Sequence, residues 1–225
     1  MNLSKDRKII TTNDGSHSLY VPGLNEQYHS IHGAQQEAEH VFIKMGLDGY
    51  CLKRNVGELA VFELGFGTGL NALLTAQWAA KKSISVSYTS VEKYPVTKEE
   101  FSKLNYGDLL GDRALYHKIV DTEWEKYVRL NTCFKLKKCV LDVKEGELPH
   151  GFDVVYFDAF APNKQPDLWE VSIFEKIFKT MNQNGIMVTY CAQGQARRNM
   201  ISAGFEVEKV PGPPGKREML RAFKR

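Results

Sequence analysis

Val61-Phe-Glu-Leu-Gly-Phe-Gly-Thr-Gly-Leu-Asn71 is the stretch that decides the fold. An apolar run, Leu59 to Leu64, leads into three glycines at alternate positions, Gly65, Gly67 and Gly69. A helix-like segment, Leu70 to Ala80, follows at once. The order is a buried strand, a tight turn and a helix N-terminus. Glycine is needed where a Cβ would block a ligand or where φ must be positive. Strand, glycine loop and helix in this order open nucleotide-binding α/β folds.

Working outward, further strands are expected at Val86–Val91, Phe134–Leu141, Asp153–Phe157 and Ile186–Cys191. Helical stretches fall at Lys98–Leu104, Trp124–Leu130, Trp169–Met181 and Gln195–Ala203. Alternating strands and helices imply a mostly parallel sheet covered on both faces. The end breaks that rhythm: Phe205–Val210 and Glu218–Phe223 read as two strands joined by Pro211-Gly-Pro-Pro-Gly215. Such a hairpin adds antiparallel strands to the sheet edge, the shape of class I methyltransferases rather than of dehydrogenases. Residues 1–57 read as an extension: short strands at Ser18–Val21 and Gln27–Ser30, then a helix over Gly33–Leu47. The core would occupy 58–225.

Composition sets the outer limits. The chain has 225 residues, 43% hydrophobic and 25% charged, in the ordinary globular range. No apolar run approaches the ~20 residues that span a membrane. The start, Met1-Asn-Leu-Ser-Lys-Asp-Arg-Lys8, lacks an apolar core and a cleavage site, which weighs against a secretory signal. Cys51, Cys133, Cys139 and Cys191 are scattered, form no CxxC pair and belong to no cluster with zinc spacing. They read as reduced cytoplasmic thiols, and no metal is expected. The net charge of +3 permits an acidic partner without demanding one.

The glycine spacing is GxGxG, not the GxGxxG of dinucleotide enzymes, which place a pyrophosphate on the helix N-terminus. With Glu63 just before the loop and Asn71 just after it, the spacing suits S-adenosylmethionine (SAM). That ligand lacks phosphate but carries an amino-acid tail. Taken alone, the loop could be only a tight turn. Glu92 ends its strand 23 residues after Gly69, where a carboxylate can accept both ribose hydroxyl protons; otherwise it is a surface glutamate beside Lys93. Asp142, at the next strand end, could contact the adenine amino group or be a solvated turn residue.

Phe157-Asp-Ala-Phe-Ala-Pro-Asn-Lys-Gln-Pro-Asp-Leu-Trp169 is the most unusual segment. Asp158 sits at the mouth of the fourth core strand, where open α/β sheets bind ligands. Pro162 and Pro166 stiffen the loop, and Phe160 and Trp169 flank its polar part, although Trp169 could simply be core. His29 and His32 could line the crevice or end a hairpin. Basic residues gather at Arg197-Arg198, at Lys216-Arg217 and at Lys135, Lys137 and Lys138. Charge runs are usually a solvated face, but Lys216-Arg217 follows the hairpin turn, where an RNA backbone could be gripped.

Phe62–Asn71, Phe157–Lys164 with Trp169, and Gly215-Lys-Arg-Glu-Met-Leu220 together resemble the methyltransferase domain of the MnmC family. Free-standing members, the MnmD type, consist of this domain. The resemblance runs from about Thr11 to Phe223, and the three motifs together are specific. It implies methyl transfer from SAM to the aminomethyl nitrogen of 5-aminomethyl-2-thiouridine at the tRNA wobble position. Two-domain relatives add a flavin-dependent oxidase; with the last residue at Arg225 the resemblance implies a monofunctional enzyme needing no FAD. Ala159 and Asn163 stand where the family often has glycine and alanine, both small changes.

Under this resemblance Asp158 orients the amine and offsets positive charge growing on nitrogen. Phe160 and Trp169 form platforms for a flipped base. Lys164 belongs to the substrate loop, and Lys216, Arg217 and Arg197 hold phosphates. A monomer or weak homo-oligomer is expected, away from membranes. The nearest rival is an aminopropyltransferase of the spermidine synthase type, which normally carries an aspartate pair in this loop; here no second carboxylate comes before Asp167. From another class, a non-catalytic RNA-binding subunit could keep the fold, but the intact loop, Glu92 and Asp158 argue against it.

Overall fold

The computed structural model describes residues 7–52 and 54–225. Most of the opening segment read for a leader, Met1–Asp6, lies outside them. The chain begins with β1 (Lys8–Thr11), β2 (His17–Val21) and β3 (Glu26–Gln27), which form a small antiparallel sheet. A continuous helical run follows: α1 (Ala34–Ala38), π-helical turns over Glu39–Asp48, and α2 (Gly49–Cys51).

The main sheet starts with β4 (Glu58–Leu64), followed by α3 (Leu70–Lys82) and β5 (Ser85–Glu92). Next come α4 (Lys98–Ser102), α5 (Tyr106–Leu109), α6 (Arg113–Asp121), β6 (Val128–Asn131) and β7 (Phe134–Val140). Then follow β8 (Phe152–Phe157), α7 (Val171–Thr180), β9 (Met181–Thr189), α8 (Gly194–Ser202), β10 (Glu206–Pro211) and β11 (Glu218–Phe223). Spatial order is β10-β11-β9-β8-β4-β5-β7-β6. The five central strands β9, β8, β4, β5 and β7 run parallel. β11 pairs antiparallel with β9, and β10 lies outside β11. This is the mostly parallel sheet with a terminal hairpin that the loop and the Pro/Gly turn predict.

Both faces of the sheet are buried, so its strands read as apolar runs rather than alternations. Val154 and Tyr156 of β8 enter one core; Val155 and Phe157 enter the other. The first core also takes Leu19, Ala34, Ala38, Val41, Phe42 and Leu47, so the extension is packed onto the sheet. Gly46 permits this close approach, since a Cβ there would meet Val188 at 3.3 Å and Tyr156 at 3.4 Å. Arg7 ties the start of β1 to the loop after β5, donating to Tyr94 O (2.7 Å) and Glu100 (3.1 Å).

One predicted helix is wrong. Trp124–Leu130 is not helical: Trp124 bridges to Lys138, and Val128–Asn131 forms the antiparallel edge strand β6. The apolar spacing was ambiguous, and the unpaired edge of β7 decided it, because exposed backbone donors and acceptors recruit a strand. The helix lies earlier, at α6. Asp112 caps it by accepting the Leu115 N–H (3.0 Å), and Leu115, Tyr116 and Ile119 face the core. Nor is Lys138 part of a surface patch. It is 1% exposed, donates to Ile119 O (3.0 Å) and Val120 O (2.8 Å) at the end of α6, and burial pushes its ammonium down to about 8. No described helix is long and apolar enough to cross a membrane, and all four cysteines are free.

Candidate active site

Strand order reverses around β4, with β5 on one side and β8 on the other. Loops leaving these strands diverge and open a crevice at their carboxyl ends. Here the crevice is a cleft of about 660 Å³. Its floor is the glycine loop. Gly65 (φ +94°) and Gly67 (φ +50°) hold conformations that L side chains rarely adopt. Space is also closed to a side chain: a Cβ on Gly65 would lie 2.6 Å from the Asp158 carbonyl oxygen, and one on Gly67 would press on the Tyr28 ring at 3.1 Å. Gly69 caps α3 in the left-handed conformation.

The loop is registered to its neighbours by backbone bonds. Gly65 N–H donates to Val91 O (2.9 Å), and Asp158 N–H donates to Leu64 O (3.0 Å). Behind it, the Phe66 ring packs edge-on to Trp124 with the Lys138 ammonium 5.2 Å from its centroid.

Two acidic residues, Glu63 and Asp158, meet at Asn71. Glu63 is fully buried; its oxygens accept Ser90 Oγ (2.6 Å) and Asn71 Nδ2 (3.0 Å). Burial pushes its carboxyl up to about 8, against the Ser90 and Asn71 hydrogen bonds. The same Asn71 Nδ2 donates to Asp158 Oδ2 (2.9 Å). Asp158 is half-buried, and burial, with help from the Glu37 charge, raises it to about 7. The Asn71 bond and the Lys216 charge pull the other way. Asn71 Oδ1 is buried and has no protein partner among the described residues. Glu92 lies across the loop, accepting Gly67 N–H (3.1 Å) and Tyr94 N–H (2.7 Å). Asp142 lines the same cleft and pairs with Lys93 at 2.6 Å. Burial would raise its carboxyl, but hydrogen bonds from Lys93 and the Lys144 N–H, with both lysine charges, hold it below the usual range.

At the other end of the cleft, Phe160 meets Tyr28 edge to face at 5.2 Å. Lys164 donates to Leu24 O and Asn25 O, both at 3.0 Å, so it ties the Asp158–Trp169 loop to the N-terminal segment. His29 and His32 also line the cleft. His29 lies within 3.4 Å of Ser18, Thr68 and Tyr106 hydroxyls, and burial pushes its imidazole down to about 4. His32 is exposed and packs against Gly215. Lys216 lines the cleft in an ion pair with Glu37, its ammonium 4.1 Å from the Tyr190 ring centroid.

Five sequence candidates lie off the cleft walls: Glu63, Gly69, Trp169, Arg197 and Arg217. Trp169 is 3% exposed, packs on Phe157 and Phe174, and donates from Nε1 to Phe160 O (2.8 Å). In this arrangement it braces the loop from behind rather than offering a face. Arg197 is half-buried on α8, and Arg217 is exposed. Conversely, Tyr28, Glu37 and Tyr190 line the cleft without having been singled out. Tyr28 sat beside His29 in a stretch already under scrutiny. Glu37 carried no signal, because its partner Lys216 is 179 residues away.

The donor set fits SAM. A cleft whose walls carry Glu92, Asp142 and Asp158 repels pyrophosphate but welcomes a ligand with an ammonium, a sulfonium, ribose hydroxyls and an adenine amino group. The loop leaves room where side chains would stand. Among the described residues, no group of three His, Cys, Asp or Glu side chains is arranged to hold a metal.

Cleft and sheet define a SAM-dependent methyltransferase, and sequence comparison agrees. The chain belongs to the S-adenosyl-L-methionine-dependent methyltransferase family whose profile matches residues 113–225. Within it, the sequence is similar to one part of MnmC proteins. It is 31% identical over 229 residues to the tRNA 5-methylaminomethyl-2-thiouridine biosynthesis bifunctional protein MnmC of Cupriavidus metallidurans, over 95% of this chain and 33% of the relative. The chain thus spans about a third of the length of the curated relatives it matches. Among solved structures, MNMC2 from Aquifex aeolicus superposes with a TM-score of 0.72 at 25% identity, over 96% of this chain and 70% of that one. A probable spermidine synthase from Corynebacterium glutamicum has the same fold at TM-score 0.56 and 17% identity, over 97% of this chain and 77% of that one.

Proposed function

We propose that this chain transfers a methyl group from SAM to the aminomethyl nitrogen of 5-aminomethyl-2-thiouridine at the tRNA wobble position. The observation that carries the reading is the place of Asp158. It is a raised carboxyl beside the donor loop, joined to Glu63 through one asparagine amide, in a cleft that opens between Phe160 and Lys216. Gly65, Gly67, Glu92 and Asp142 would hold SAM, with Glu63 acting through Asn71. When bound, SAM supplies an electrophilic methyl group.

The acceptor must be a neutral amine, yet an alkylamine with pKa ~10 is almost wholly protonated at neutral pH. Asp158, raised to about 7, is ionised over part of the neutral range and can take that proton. It then offsets the positive charge developing on nitrogen. Asn71 fixes the carboxyl by donating to one oxygen, which leaves the other for the amine. Burial of the site works in the same direction, since a poorly hydrated ammonium loses its proton more easily. Tyr28 and Phe160 supply the apolar wall a splayed base needs. Arg197 and Arg217 remain candidate phosphate contacts, and a reducing cytoplasmic setting suits the four free thiols.

The deciding experiment incubates the protein with SAM and tRNA lacking the terminal methyl, then weighs the nucleosides. A gain of one methyl on the wobble uridine is expected. No gain on any nucleoside would refute the reading.

A further inference from the structure

The acceptor half of the cleft contains a second carboxylate that the chemistry above does not use. Glu37, on α1, is only 8% exposed, yet it lines the same cleft as Asp158. Its Oε2 accepts the Ser30 N–H (2.9 Å), and its Oε1 accepts the Lys216 ammonium. Lys216 arrives from the turn between β10 and β11, and its ammonium rests on the face of Tyr190. The Tyr190 hydroxyl in turn donates to Ala159 O (2.9 Å), the residue after Asp158. The ion pair thus sits in the wall beside the acceptor carboxylate, held by a buried partner on one side and an aromatic face on the other.

A cleft with two unpaired carboxylates is a site for a dication. A diamine, with two ammonium groups joined by a short methylene chain, would satisfy both at once. In this chain one of the two carboxylates is already satisfied from within. We infer that Lys216 is a specificity-determining residue: its side chain permanently supplies the second ammonium that a diamine would bring. Beside Tyr190 the cleft therefore offers a substrate amine Asp158 rather than an Asp158–Glu37 pair, and disfavours diamines that would bridge the two. This inference rests on the reading of the cleft as an amine site. It gives Lys216 a different task from the phosphate grip its sequence position suggests. An ammonium committed to Glu37 and stacked on Tyr190 is a poor contact for a backbone phosphate. The opposed effects of Glu37 and Lys216 on Asp158 are consistent with the pair lying within electrostatic reach of it.

The test titrates 1,4-diaminobutane into the full chain by calorimetry, for wild type, Lys216→Met and the double variant Glu37→Gln/Lys216→Met. Unmasking one carboxylate should tighten diamine binding in Lys216→Met by about tenfold, and the double variant should return to the wild-type value. The salt dependence of tRNA binding should be the same for wild type and Lys216→Met. No gain in diamine affinity in a folded Lys216→Met protein overturns the inference, as does a salt slope lowered by about one, the signature of a lost phosphate contact. If Lys216→Met does not fold, Lys216→Gln gives the same reading with a polar side chain of similar length. Diamine binding needs no tRNA. Failure of wild-type protein to methylate tRNA therefore refutes the proposed activity, while the diamine series still decides the role of Lys216.

Discussion

Replacing Gly65 by alanine should damage both ends of the cleft through one atom. A Cβ at this position lies 2.6 Å from the Asp158 carbonyl oxygen, whereas real contacts of this kind essentially never fall below 3.0 Å. The two backbones must therefore part by at least 0.4 Å, the difference between these values. A second cost is conformational, since φ is +94°; holding alanine on the left-handed side costs about 1–2 kcal/mol. The two costs can be separated. Gly15 (φ +83°) and Gly111 (φ +69°) have nothing within 4 Å of the added Cβ, so Gly15→Ala and Gly111→Ala carry only the conformational penalty. Thermal melting of all three, SAM titration and single-turnover methyl transfer form the assay. The controls should melt a few degrees lower and keep wild-type turnover. Gly65→Ala should melt lower still and lose turnover by roughly 10²-fold, because reacting groups misplaced by a fraction of an ångström to 1 Å forfeit alignment. If Gly65→Ala turns over within twofold of Gly15→Ala, the claimed coupling between donor loop and Asp158 is wrong.

Other consequences are sharper in pH. The acid limb of kcat/KM should fall as pH drops through about 7, where Asp158 takes up a proton; Asp158→Asn should erase that limb and lower kcat by about 10²–10⁴-fold, and an unchanged limb in this variant would exclude Asp158 as its source. Glu63 has its folded value raised from 4.5 to about 8, so between those values the folded state keeps a proton that the unfolded state has lost. Stability must therefore fall as pH rises through that window, by on the order of 3 kcal/mol. Glu63→Gln should flatten the fall in melting temperature between pH 5 and 8, approximate limits set by the same linkage; parallel curves for the two proteins would contradict the burial argument. Lys164→Met should release the N-terminal segment from the Asp158–Trp169 loop, raising amide exchange over residues 23–28 roughly fivefold. Unchanged exchange by mass spectrometry would show that the two bonds hold nothing.

The glycine loop and the parallel strands were legible because burial on both faces writes them as continuous apolar runs ending in glycine. The places of Asp158 and Glu92 at the cleft were legible, because both are acidic residues at strand ends. Other elements left weaker marks. Val128–Asn131 is short and depends on the free edge of β7, so local spacing could not separate strand from helix. The α6 helix did carry a signal, Asp112 followed by Leu115, Tyr116 and Ile119, which the apolar residues after Trp124 overshadowed. Glu37 looks like any polar position on an amphipathic helix; only a contact 179 residues distant marks it. Lys138 was grouped with Lys135 and Lys137 because a one-dimensional run hides which side chain points inward. Position along a strand tells what can reach the cleft, whereas pairing between distant segments decides what does.

The hydrogen bond from Asp158 N–H to Leu64 O has a consequence for alignment. It is the last rung joining β8 to β4, and the glycine loop and the Asp158–Trp169 loop spring from its two ends. Neighbouring strands keep a spacing of about 4.8 Å, whatever their sequence. The sheet thus acts as a ruler laid beneath the reaction. Under the proposed function, the gap between the place that offers a methyl group and the place that receives it is set by backbone geometry. Side chains above that rung can be exchanged to suit a new acceptor without resetting the gap.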